Sequence, residues 1–215
     1  MPLLFLFDMD DVLYDYDWRT RMAGLSELTG LNLQELRRRW WHDEGEWAAE
    51  AGRFADAASY HAAFVTALGA EVSVEDWVDN RRSAMTAWPA SIAAVERAAE
   101  LGQVSLLTNN GPLVEAHLAT IAPEIAAVFG DHLRTTSYYG ARKPDPVVFD
   151  RVLTAYDADP AEVFFADDLP ENVAAAVSRG ITGHLFTTPE KLLAAVEAFA
   201  AGFETPLRGS SASGG

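Results

Sequence analysis

The 215-residue chain contains no cysteine, which removes disulfides, thiolate zinc sites and cysteine nucleophiles together and fits a reducing compartment. Lysine is almost as scarce: Lys143 and Lys191 are the only two. No apolar run approaches the roughly 18 residues needed to span a bilayer, and the first such run is cut at Asp8 with no basic leader before it. The expectation is a cytoplasmic protein with no membrane partner. Basic residues are outnumbered, 16 against 32 acidic ones, for a net charge of -16. That balance argues against a nucleic-acid partner, because backbone binding needs clustered Lys and Arg.

What is present is a chain with 49% hydrophobic residues, long enough for one core domain and a small accessory one. Leu3 to Phe7 is uninterrupted and apolar, then stops at Asp8-Met9-Asp10-Asp11, as a strand buried on both faces of a parallel sheet would. Three acids in four positions repel one another unless a cation compensates, and a hard divalent ion suits carboxylate oxygens. The same punctuation recurs where Val104 to Leu107 meets Thr108-Asn109-Asn110-Gly111 and where Val163 to Ala166 meets Asp167-Asp168. Helical patterns follow, giving βα alternation with polar residues at the strand tips, where open α/β sheets bind ligands.

From about Asp15 to Trp88 strand character is almost absent. Periodic positions (Met22, Leu25, Leu28; Leu33, Leu36, Trp40; Tyr60, Phe64, Leu68; Trp77, Arg81, Met85) predict about four helices, with stops at Gly30 and Gly69 and a start at Ser73 to Asp76. The predicted organisation is a three-layer αβα, Rossmann-like core with a parallel sheet from 1–14 and 89–201, an α-helical cap from 15–88, and a flexible tail from 202–215. Within the core, helices are expected over 91–101, 112–121, 146–156, 171–179 and 189–201. Strands are expected over 104–107, 163–166 and 183–186, with a short one near Leu133.

Asp8 is the candidate nucleophile, since a carboxylate can attack phosphorus without first losing a proton. Asp10, two residues on, is placed as the acid that protonates the leaving oxygen and the base that activates water. Thr108 and the neighbouring backbone amides would cradle a phosphate oxygen, and Asn109 is a further substrate-binding candidate. Lys143, set in Arg142-Lys143-Pro144-Asp145-Pro146, would bring positive charge to the transferring group. Asp167 and Asp168, with Asp8 and the Asp10 carbonyl, would make an all-oxygen Mg²⁺ site, Asp167 either ligating or holding Lys143.

In order and spacing, these four stretches resemble the haloacid dehalogenase superfamily of phosphatases, over residues 3 to about 200. The wording of Arg142 to Phe149 and of Asp167 to Val173 is most similar to the capped sugar-phosphatase branch, the group that includes α-glucose-1-phosphate phosphatases. The resemblance implies an aspartyl-phosphate route on Asp8, Mg²⁺ as cofactor and a small phosphate ester as partner. It also separates phosphate chemistry from haloalkanoate cleavage, because members that cleave haloalkanoates have no aspartate at the position of Asp10. It leaves Asp11 outside the chemistry, capping the next turn.

A phosphomutase using the same intermediate and a non-catalytic binding module are the alternative readings. The pattern does not distinguish a monomer from a homodimer. In the cap, Arg37-Arg38-Arg39-Trp40-Trp41-His42 with Glu44, Glu46 and Trp47 either grips a sugar or second phosphate or forms a basic helix face over core aromatics. His42, His61, His117, His132 and His184 show no ligand spacing.

Overall fold

The computed structural model describes residues 2–203. Strand β1 (Leu3–Phe7) leads through a tight turn to β2 (Tyr14–Tyr16), then to five helices: α1 (Trp18–Thr29), α2 (Leu33–Arg39), α3 (Glu46–Glu50), α4 (Ala57–Leu68) and α5 (Val74–Ser83). Strand β3 (Met85–Ala87) returns the chain to α6 (Pro89–Leu101), β4 (Gly102–Leu106), α7 (Pro112–Ile121), α8 (Pro123–Phe129) and the short α9 (Thr136–Tyr139). The remainder is α10 (Pro146–Tyr156), β5 (Val163–Asp167), α11 (Pro170–Val177), β6 (Thr182–Leu185) and α12 (Pro189–Ala201).

Four strands form a parallel sheet in the order β4-β1-β5-β6. Side chains alternate across a strand, and here both faces are apolar. Phe5, Phe7, Val104, Leu106 and Phe164 face one core, which α6, α7, α8 and α12 cover. Leu4, Leu6, Val163 and Phe165 face another, closed by Val148, Phe149 and Val152 of α10 and Ala175 and Ala176 of α11. The expected three-layer αβα arrangement is therefore present.

Six helices start with proline at N1, where its fixed φ suits the first turn and its missing N–H costs nothing. Five of those boundaries lie close to the predicted ones; α8 was not expected. Other expectations need correction. The short strand near Leu133 is not formed: Gly130–His132 is a 3-10 turn, and a single parallel bridge joins Thr108 to Thr135. The segment in which strand character was expected to be almost absent begins and ends in strand, because β2 and β3 pair antiparallel, Tyr14 with Ala87 and Tyr16 with Met85. Five helices rather than about four lie between them. The predicted flexible tail falls outside the described residues from position 204; Gly202 and Phe203 form a turn.

The helical insertion shares its apolar interior with the sheet. Trp40, Tyr60, Phe64 and Trp77 belong to one continuous buried cluster with Phe5, Phe7 and Leu113. Tyr60 stacks near-parallel on Phe64 at 6.2 Å and meets Trp77 edge-on at 6.0 Å. Among the described residues no single helix is long and apolar enough to cross a membrane.

Candidate active site

β1 lies between β4 and β5, and its register fixes what gathers at the strand tips. Phe7 pairs with Leu106 on one side and Ala166 on the other. One residue further, Asp8 stands level with Leu107 and Asp167, and backbone bonds hold that level: Asp8 N donates to Ala166 O (3.0 Å) and Leu107 N to Phe7 O (2.8 Å). The chain passes from β1 to β4 on one side and then crosses back to β5 on the other, so the tips of β1 and β5 flank the topological switch point of an open sheet.

Lys143 comes from the loop before α10 and is 1% exposed. Its Nζ donates to Asp167 Oδ2 at 2.6 Å and lies 3.0 Å from Asp8 Oδ1. The second contact is an ion pair without hydrogen-bond geometry, so Asp8 Oδ1 is a buried oxygen with no hydrogen-bond donor. Burial pushes the Asp8 carboxyl well above the ordinary carboxylate range, opposed by the Lys143 ammonium and reinforced by Asp167 and Asp10. Burial alone would lower the Lys143 ammonium, but Asp8 and Asp167 outweigh it and hold it above its ordinary value. Asp168, half-buried, is pushed up to about 6 by burial and by the neighbouring Asp167 and Asp11.

Ligand oxygens of Asp8, Asp167 and Asp168 lie within 4.8 Å of one another. Three carboxylates and one undonated buried oxygen are the donor set a hard, oxygen-seeking cation requires, so the residues fit Mg²⁺. Asp167 carries the densest set of bonds. Besides Lys143 it accepts from Leu169 N (2.9 Å) and from Asn172 Nδ2 (2.9 and 3.1 Å), which orients it and, through it, the ammonium.

The Asp10 carboxylate, expected as the acid-base group with only its carbonyl at the cation, lies outside the cation group and accepts from Arg81 Nη2, at 2.6 Å to Oδ1 and 2.7 Å to Oδ2. Arg81 belongs to α5, is fully buried and lies 4.1 Å over the Tyr16 ring. Sequence reading had placed Arg81 only on the apolar stripe of a helix. An arginine at a position where the period calls for an apolar residue was the signal.

Thr108 is buried, and its Oγ1 accepts from Asn110 Nδ2 at 2.9 Å, leaving the hydroxyl proton for another acceptor. The Asn109 side chain bonds the backbone of Lys143, donating to its carbonyl and accepting from its N–H, both at 2.9 Å. It fixes the lysine, and the second proton of its amide is uncommitted at the edge of the cavity. Asp11 sits at φ 57, a left-handed conformation that aspartate tolerates, and its Oδ1 accepts from Tyr16 N, capping the turn as expected.

Above these residues a cavity of about 220 Å³ reaches from Asp10, Asn109 and Asn110 to Tyr16, Trp18, Arg21, Trp41, Glu46, Trp47 and Glu50 of the helical insertion.

Residues 3–180 match the family model of haloacid dehalogenase-like hydrolases. The chain belongs to that family. Within it, the chain is 27% identical over 191 residues to Phosphatase MT3486 of Mycobacterium tuberculosis (strain CDC 1551 / Oshkosh), covering 84% of this chain and 85% of that one. Two solved structures share the fold. A haloacid dehalogenase family enzyme from Bacteroides thetaiotaomicron, crystallised with magnesium and inorganic phosphate, superposes with a TM-score of 0.70 at 19% identity, over 87% of this chain and 95% of the other. A predicted family hydrolase from Porphyromonas gingivalis gives 0.71 at 18% identity, over 92% and 97%.

Proposed function

We propose that this haloacid dehalogenase-like hydrolase is a Mg²⁺-dependent phosphatase acting on a small phosphate monoester, a sugar phosphate in particular. One observation carries the reading: Asp8 presents a buried oxygen without a hydrogen-bond donor, beside a buried ammonium and two further carboxylates. The name of the mycobacterial relative and the ligands of the Bacteroides neighbour point the same way.

Asp8, Asp167 and Asp168 would hold the Mg²⁺, and the Asp10 carbonyl would join them. When bound, the ion offsets the negative charge of the carboxylates and of the incoming phosphate. Asp8 attacks phosphorus, forming one P–O bond as the bond to the leaving oxygen breaks. Lys143 and the Thr108 hydroxyl stabilise charge on the phosphoryl oxygens, and Asp167 and Asn109 keep the lysine in place. Asp10 delivers a proton to the leaving oxygen, then takes one from the water that hydrolyses the aspartyl-phosphate. The two hydrogen bonds from Arg81 Nη2 position the Asp10 carboxylate at the inner end of the cavity, where the leaving oxygen would lie. The unit from 15–88 acts as the cap, keeping water from the site until the leaving group has gone.

The test is inorganic phosphate release from a panel of small monoesters, with and without Mg²⁺, by the parent and by Asp8→Asn. The parent should release phosphate only with the ion, and the variant, equally folded by circular dichroism, should release none. Turnover by Asp8→Asn near the parent rate would remove Asp8 from its role. Interconversion of phosphate isomers without release would make the enzyme a mutase.

A further inference from the structure

The cavity above the strand tips opens at its inner end on Asp10, so what fills it is the part of the substrate that leaves with the oxygen Asp10 protonates. At about 220 Å³ it is smaller than the ~300–1,000 Å³ of sites that take drug-sized ligands, and suits one small ring or chain. Tyr16, Trp18, Trp41 and Trp47 supply apolar walls.

Two carboxylates supply the polarity. Glu46 Oε2 accepts from Trp40 Nε1 and from Tyr60 Oη, both at 2.6 Å, and no hydrogen bond to its Oε1 is formed among the described residues. Glu50 Oε2 accepts from Arg142 Nε at 2.7 Å, and no hydrogen bond to its Oε1 is formed among the described residues. Helix α3 is fixed in place. Thr136 Oγ1 donates to Glu50 O at 2.9 Å, and a Cβ on Gly45 would lie 2.0 Å from Trp40 O, so only glycine allows that approach.

The basic run that might have received a second phosphate lies elsewhere. Arg37 covers the Trp18 ring at 4.7 Å, Arg38 and Arg39 pair with Glu35, and Arg39 Nη1 donates to Leu68 O. None of the three lines the cavity. Arg21 is the one cation among the described residues that does; its Nη1 donates to Tyr16 Oη at 3.1 Å, and its buried Nη2 has no hydrogen-bond partner.

Resting on the phosphatase reading, we propose that α3 is the specificity element: in a singly phosphorylated substrate, Glu46 and Glu50 accept hydrogen bonds from hydroxyls of the neutral leaving group, whose C–H faces lie on the tryptophans. A second phosphate in this cavity would give up its water to lie beside Glu46 and Glu50 with the single guanidinium of Arg21 in compensation, which disfavours bisphosphates.

Three probes decide it: a hexose monophosphate, the corresponding bisphosphate, and p-nitrophenyl phosphate, which has no sugar hydroxyl. The parent should prefer the monophosphate over the bisphosphate by about tenfold or more in kcat/KM. Glu46→Gln turns an acceptor into a donor at the same volume and should lower the ratio of hexose to aryl phosphate kcat/KM about tenfold, mainly through KM. Glu50→Gln should lower that ratio too and narrow the bisphosphate penalty. Aryl phosphate turnover with Mg²⁺ certifies that each variant is folded. A ratio within twofold of the parent in both variants, or a parent that prefers the bisphosphate, overturns the inference while leaving the phosphatase reading intact. Failure of the parent on all three esters overturns both.

Discussion

Replacing Lys143 by methionine keeps the volume of the side chain and deletes its charge. The ammonium lies 2.6 Å from Asp167 and 3.0 Å from Asp8, with 1% of its side chain exposed. At an effective dielectric of about 20 those contacts are worth roughly 6 kcal/mol each in gross attraction, from which desolvation of the three charges takes several kcal/mol apiece. Removing one partner of a buried pair costs about 3–5 kcal/mol net, because the abandoned carboxylates stay buried. For a domain of this size each kcal/mol moves Tm by about 2–4 °C, so Lys143→Met should melt roughly 6–20 °C below the parent without Mg²⁺. The cation should restore much of that loss, since the site is now more negative. It should not restore turnover, which loses one preorganised positive group at a cost of about 10²–10³ in kcat. Thermal unfolding with and without Mg²⁺, alongside phosphate release, reads both. A metal-free Tm within about 2 °C of the parent, or phosphate release near the parent rate, would refute the reasoning.

Arg81→Met should reduce kcat about 10–100-fold by freeing Asp10, because positioned acid-base groups contribute about 10²–10⁴. Stability should change by no more than about 2 kcal/mol, as two guanidinium nitrogens of Arg81 have no hydrogen-bond partner and Asp10 is partly solvated; an unchanged kcat would sink the positioning role. Burial raises Glu50 from 4.5 to about 7, against the pull of Arg142. The folded state therefore keeps a proton that the unfolded chain has released, and this group's contribution to stability falls as pH rises from 4.5 to about 7. Glu50→Gln abolishes that fall, so urea midpoints should favour the variant by a margin that widens by up to about 3 kcal/mol between pH 5 and 8. The same margin at both pH values would contradict it.

Much of this molecule was settled locally. Apolar runs ending abruptly at polar residues marked β1, β4 and β5, and five of the six helices that start with proline were anticipated to within two residues, because strand burial and helix entry depend on residues within a few positions of each other. The candidate acids and Thr108 were legible for the same reason, lying directly after those runs, while Lys143, in the loop before α10, stood out as one of only two lysines. Their meeting was not. It follows from the register of Phe7 with Leu106 and Ala166, which brings together groups more than a hundred residues apart. Tertiary structure alone put Asp10 on Arg81, 71 residues away, turned the Asn109 amide onto the backbone of Lys143, and left Glu46 and Glu50 facing the cavity with Arg37 to Arg39 outside it. The β2–β3 ribbon was hidden because three-residue strands have no period to read, and the strand expected near Leu133 dwindled to one bridge. Periodicity reports which side of an element is buried; which charge lies opposite is decided by how distant elements pack, and no spacing along the chain encodes it.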